Sequence, residues 1–163
     1  MNPRAVNGTS HAGLTIGVLL CILCVSIRAI TPVTLFTPSD ITGRYTFAGH
    51  IATVMSDFDS INLLAVDSSP DRISGEIVVK RSGTGPLKYK LIPTSISGDQ
   101  LTFKTQIMGG INYRFAGRIT RRRLPESEGG YDVPLLQGTL SKFHHGRKLG
   151  EITGDFKYEE FAD

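Results

Sequence analysis

The sequence predicts an all-β domain, an eight-stranded antiparallel up-and-down barrel, with a two-sheet β-sandwich as the alternative. Three observations predict it. The first is alternation. Ile111, Tyr113, Phe115, Gly117 and Ile119 fall on one face of a strand, and Asn112, Arg114, Ala116, Arg118 and Thr120 fall on the other, which is the period of a strand with one buried face. The second is a recurring apolar-x-Gly-x-apolar pattern, at residues 41–45, 73–77, 115–119, 136–140 and 152–156. The third is that no helical period of useful length follows residue 40, where strand signals alternate with turn clusters at roughly even spacing.

Before the barrel comes an apolar segment. Residues 13–27 are uncharged and mostly apolar, and Arg4 and Arg28 flank them. The segment predicts an N-terminal helix, and residues 1–29 read either as a cleaved signal peptide or as a retained membrane anchor. Counted from 13 to 36, with the Arg28 side chain reaching the interface, it is long enough to span a bilayer. Export is the expected outcome, with the domain secreted, periplasmic or anchored to a membrane by the N-terminal segment, although the flanking arginines do not fix the orientation of an anchor. Both cysteines, Cys21 and Cys24, lie in this segment, so the remainder of the chain has no disulfide framework. Residues 30–40, with Pro32 and Pro38, form an extended linker.

The barrel is expected over residues 41–158, followed by a short tail at 159–163. Its first strand is predicted over 42–53, with Gly43, Tyr45, Phe47, Gly49 and Ile51 inward. Residues 55–60 read as a polar loop holding Phe58, a candidate apolar lid tip. The second strand covers 61–66 and ends in the turn residues Asp67, Ser68, Ser69, Pro70 and Asp71. The third covers 72–81 with Ile73, Gly75, Ile77 and Val79 inward, and the fourth brings Leu87, Tyr89 and Leu91 inward against Lys88 and Lys90 outside. Gly98-Asp99 marks a hairpin turn before a fifth strand at 101–107. Residues 108–110 turn into the sixth strand, already described. Residues 121–131 read as the longest irregular insertion. The seventh strand is expected over 133–143 and the eighth over 148–158, joined by a turn at 144–147. Closing such a meander removes two exposed sheet edges. The glycine of each motif shares the inward face, where it permits a sharp bend or lets a large side chain cross over it. The outward positions, including Arg44, Lys88, Lys104, Arg118, Glu151 and Lys157, exclude a lipid-facing barrel wall.

Charge excludes little more. The net charge of +3 falls to about +1 over residues 30–163, since residues 1–29 contribute two arginines and no acid. On that count no nucleic-acid partner is expected. On this register the interior holds essentially no titratable group beyond the tyrosines Tyr45, Tyr113 and Tyr158. His144 and His145 are adjacent in a turn and point to different sides, so no metal site is expected with His50. Arg121, Arg122 and Arg123 are offset by Glu126 and Glu128 across the same hairpin. No phosphate loop, metal-ligand spacing or nucleophile elbow occurs. The sequence thus predicts no enzyme, no cofactor and no metal.

Gly43-Arg44-Tyr45 opens the first strand where small eight-stranded meanders often carry Gly-x-Trp, with tyrosine here in place of tryptophan. Residues 40–158 in this respect resemble the lipocalin-like (calycin-type) barrels. The resemblance implies a cavity for one small apolar molecule. The expected ligand-lining residues are Tyr45, Phe47, Phe58, Phe103, Tyr113, Phe115 and Phe156. The alternative is a structural or protein-interaction domain with a solid core and no ligand.

Overall fold

A computed structural model describes residues 36–67 and 69–159. The predicted signal or anchor, most of the linker and the end of the tail lie outside these residues. Among those described, no helix is long and apolar enough to cross a membrane. Among the described residues, nine strands form one antiparallel sheet: β1 (Gly43–Phe47), β2 (Phe58–Val66), β3 (Ser69–Val79), β4 (Leu87–Lys90), β5 (Thr94–Ser95), β6 (Gln100–Lys104), β7 (Ile111–Arg123), β8 (Asp132–His144) and β9 (Arg147–Glu159). Eight of them follow the path β4-β3-β2-β1-β9-β8-β7-β6, while the short β5 pairs with β3. The sheet curls into a half-barrel around the apolar face. All strands belong to one sheet, so the two-sheet sandwich has no counterpart. At the two edges of the path, β4 and β6 approach each other through one bridge, Leu91 opposite Thr105. Two hydrogen bonds flank it, Ile92 N–H to the Lys104 carbonyl (2.9 Å) and Gln106 N–H to the Lys90 carbonyl (2.8 Å).

The alternation in the sequence becomes burial as expected. Tyr113, Phe115 and Ile119 on β7 are buried, as are Tyr45, Ile61, Leu63, Ile73, Ile77, Leu101, Leu136, Leu140, Ile152 and Phe156. Five motif glycines sit on this inner face. Gly117, Gly138 and Gly154 are neighbours across β7, β8 and β9. A Cβ on Gly117 or Gly138 would meet Phe115 Cζ, at 2.8 and 2.9 Å respectively, and one on Gly154 would meet the Phe47 ring at 3.3 Å. The glycine line is thus a trough filled by two phenyl rings, the crossing-over that the pattern predicts.

Four boundaries differ from the sequence reading. The first strand ends at Phe47 rather than continuing to residue 53. Its pairing with β9 ends at Phe47 opposite Phe156 and one last bond from Ala48 N–H to the Asp155 carbonyl. The chain then folds over the end of the sheet in a 3-10 turn, Thr53–Met55, whose Met55 is fully buried. Phe58 is no loop tip: it begins β2, is 2% exposed and meets Phe156 edge-on at 6.1 Å. The first three residues of the expected insertion at 121–131 continue the β7–β8 hairpin, with Arg121, Arg122 and Arg123 paired to Pro134, Val133 and Asp132, and 124–131 remain as the link. Finally, β5 was not expected. Ile92 and Pro93 bulge out between the stretch of β4 on β3 and the stretch of β5 on β3, because proline supplies no ladder donor.

Up-and-down connectivity gives the sheet two distinct ends. The links 48–57, 80–86, 105–110 and 145–146 lie at one, the capped end, where the Thr53–Met55 turn folds over. The segment leading into β1, the links 67–68, 96–99 and 124–131, and the finish of β9 lie at the other.

Candidate functional site

The seven residues expected to line a ligand cavity lie on the inner face, and their rings touch one another. Phe156 is the hub: Phe47 lies 5.2 Å away, Phe115 5.6 Å and Phe58 6.1 Å between centroids. Phe103 stacks on Phe115 at 5.2 Å and an interplanar angle of 15°. The two tyrosines each take another tyrosine as partner, Tyr45 with Tyr158 at 5.7 Å and Tyr113 with Tyr89 at 5.0 Å. These are the offset and edge-on geometries that make aromatic contact favourable. Tyr45 donates its hydroxyl to the Ile41 carbonyl at 2.8 Å. Burial pushes the Tyr45 and Tyr113 phenols far up, so both stay protonated in the folded state.

The expectation of an interior without titratable groups fails at one place. Lys142 shares the inward parity of Leu136, Gly138 and Leu140 on β8 and is 8% exposed. Its ammonium donates to Asp57 Oδ2 at 2.6 Å and to the Val54 carbonyl at 3.5 Å, and lies 5.8 Å from the centre of the Tyr113 ring. A long apolar stem and a pocketed charge let lysine do this where the counter-charge is at hand. Two buried atoms beside it have no hydrogen-bond partner among the described residues, Asp57 Oδ1 and the Tyr113 hydroxyl. Tyr113 is pushed up first by burial and then by the Asp57 carboxylate, and the same two causes raise Tyr89. The capped end therefore holds an acid, a cation and two phenols in one cluster. Chemically it can accept a hydrogen bond at the carboxylate and donate one from the phenol.

Several grooves run along the outer wall. One of 820 Å³ lies where Leu64, Gly75, Glu76, Lys90 and Pro93 meet, and one of 530 Å³ lies on the other side of Pro93, rimmed by Ile92, Lys104 and Arg114. Phe103 and Phe115 also border the second groove, although these residues are only 6% and 2% exposed. A third, of 280 Å³, separates Tyr89 from Ile107 and Met108. The first two dents border the Pro93 bulge, and the larger one also borders Gly75, whose φ of 143° kinks β3 beneath it.

The three histidines of the folded part are exposed at the capped end, with His144 and His145 rings 4.3 Å apart. No group of three or more potential metal ligands occurs among the described residues. The parity of Lys142 was readable in the sequence. The partnership with Asp57, 85 residues earlier in the chain and in a link without periodicity, was not.

Comparison with known proteins places none beside this chain: no family model, no curated protein and no solved structure matches it.

Proposed function

We propose that this chain is an exported or membrane-tethered, non-enzymatic interaction domain, a closed eight-stranded barrel with a solid aromatic core that works through its outside. The observation that carries this reading is the ring network. Each of the seven residues expected to face a guest spends its ring on a neighbouring ring, at 5.0–6.1 Å between centroids. The bridge between Leu91 and Thr105 supports closure of the sheet. Export rests on the apolar segment at residues 13–27.

A carrier of one small apolar molecule is the second reading, and a specific observation favours it. The Tyr113 hydroxyl and Asp57 Oδ1 are buried without partners, and a guest with a hydroxyl group would satisfy both. Native mass spectrometry of the full chain released from mild detergent separates the two. The interaction reading expects the mass of the polypeptide alone. A discrete, stoichiometric added mass that disappears in Tyr113→Phe would establish the carrier instead. Without a guest, Tyr113→Phe leaves stability unchanged or raises it by about 1 kcal/mol, since it removes an unsatisfied buried hydroxyl.

A further inference from the structure

The small net charge of the barrel conceals a division between its two ends. Counting each link at the capped end with three strand residues on either side gives seven basic and two acidic side chains, a net of +5. The opposite end, counted the same way with the leading segment and the last three residues of β9, has five basic and eight acidic, a net of −3. Lys142 and Asp57 neutralise each other inside the capped end. Lys80, Arg81, Lys88, Lys104, Arg147 and Lys148 are exposed there; Lys80 pairs with Asp59, Lys88 with Glu76 and Lys148 with Glu151, and Arg81, Lys104 and Arg147 have no ion pair among the described residues.

The same end carries exposed apolar side chains: Val54 (40%), Ile107 (73%), Met108 (39%) and Leu149 (43%). They come from two links and from the start of β9. Val54 lies against Gly150, leaving no room there for a Cβ. Leu149 is the extra residue of a bulge in β9, where Lys142 pairs with Gly150 and Phe143 with Lys148, and bulges re-aim side chains in this way. His145 donates its N–H to the Gly110 carbonyl at 2.8 Å and so ties this hairpin to the one bearing Ile107 and Met108. Those two residues then border the 280 Å³ groove with Lys88. Apolar tips interleaved with an excess of cations match the chemistry of an anionic lipid interface, where apolar groups enter the headgroup region and cations meet phosphate and carboxylate.

The geometry points to the capped end as a docking surface for an anionic phospholipid bilayer. This rests on the interaction reading above, since it assigns the work to the exterior. The full chain binds phosphatidylcholine vesicles through any retained apolar segment, so the informative quantity is the increment when about a third of the lipid is phosphatidylserine. Each cation close to an anionic surface strengthens binding roughly fivefold. The triple variant Lys80→Gln, Arg81→Gln and Arg147→Gln therefore loses about a hundredfold in that increment, and Ile107→Asp loses about tenfold. Lys157→Gln, at the opposite end, keeps it. Far-ultraviolet circular dichroism identifies any variant that fails to fold, and raising the salt concentration must weaken the wild-type increment as the triple variant does. Equal binding to both vesicle types overturns the inference, as does an increment insensitive to Ile107→Asp. Retention of the triple variant's loss on soluble polyglutamate, with the uncharged Ile107→Asn inert on both polyglutamate and vesicles, would assign the end to an acidic protein instead. A stoichiometric guest mass would overturn the interaction reading itself, whereas a missing lipid increment without such a mass overturns only the bilayer.

Discussion

Lys142 keeps 10% of its side chain exposed while its partner Asp57 keeps 37%, so the two halves of this ion pair differ in what they leave behind when the other is removed. Asp57→Asn strands an ammonium against the Tyr113 ring with no counter-charge, and it is expected to cost about 2–3 kcal/mol. Lys142→Met strands a carboxylate that still reaches water, while the thioether fills the space of the lysine stem. That change costs about 1 kcal/mol or less. Urea unfolding of the two variants, at unchanged m-value, measures the difference; equal losses, or the reverse order, would refute the asymmetry. Lys142 also illustrates what the sequence could tell. Residues 136, 138, 140 and 142 share one face, and the apolar-x-Gly-x-apolar pattern fixes that face as inward. Parity thus pointed Lys142 inside, against the general rule that lysine is rarely buried unpaired. Its pairing resolves the conflict, and pairing is a tertiary fact.

Five strands carry a motif glycine on the inner face, and the five do not act alike. Gly138 keeps ordinary strand torsions, and a Cβ there would press on the Ala116 carbonyl at 2.5 Å and on the Phe115 ring at 2.9 Å. Gly75 adds a backbone with φ of 143°, and a Cβ would fall on the Asn62 carbonyl oxygen. Gly138→Ala is therefore an overpacking change costing about 1–3 kcal/mol, whereas Gly75→Ala adds backbone strain for about 2–5 kcal/mol. Thermal unfolding should rank them in that order, both below wild type, and a tolerated Gly75→Ala would contradict the kink. The role of the motif was legible because a missing side chain among large inward ones has few explanations. Strand ends were less so. Gly49 and Ile51 continue the alternation of β1, yet pairing stops after the Ala48 bond to Asp155 although β9 extends back to Arg147, and the chain leaves the sheet and caps it. At 121–131 the error ran the other way: three arginines and a proline suggested a loop, yet facing residues on β8 extend the ladder to Arg123.

At the scale of the whole molecule, the sheet is a long continuous ladder with one thin join. β7 and β8 pair over thirteen residues each, and β8 and β9 over nearly as many. The β4–β6 approach rests on one bridge and the two flanking hydrogen bonds from Ile92 and Gln106. Nothing in the sequence marked this join, since both partners read as ordinary strands and only the Pro93 bulge limits their contact. With only these bonds and the Thr94 hydroxyl on the Thr102 carbonyl (2.9 Å) across it, its opening free energy is expected to lie below that of global unfolding, about 5–15 kcal/mol for a domain of this kind. Amide hydrogen exchange should therefore find Ile92 and Gln106 at least about a hundredfold less protected than Phe115 and Leu140, whose amides lie within the long ladders. Equal protection under exchange conditions limited by opening equilibria would mean that the seam is part of the global cooperative unit, against the topology. The same measurement bears on the charged end. Gln106 adjoins Ile107 and Met108 at the capped end, while Ile92 lies further along the seam beside Pro93. Anionic vesicles should slow exchange at Gln106 more than at Ile92, and phosphatidylcholine vesicles should leave the ratio between the two unchanged.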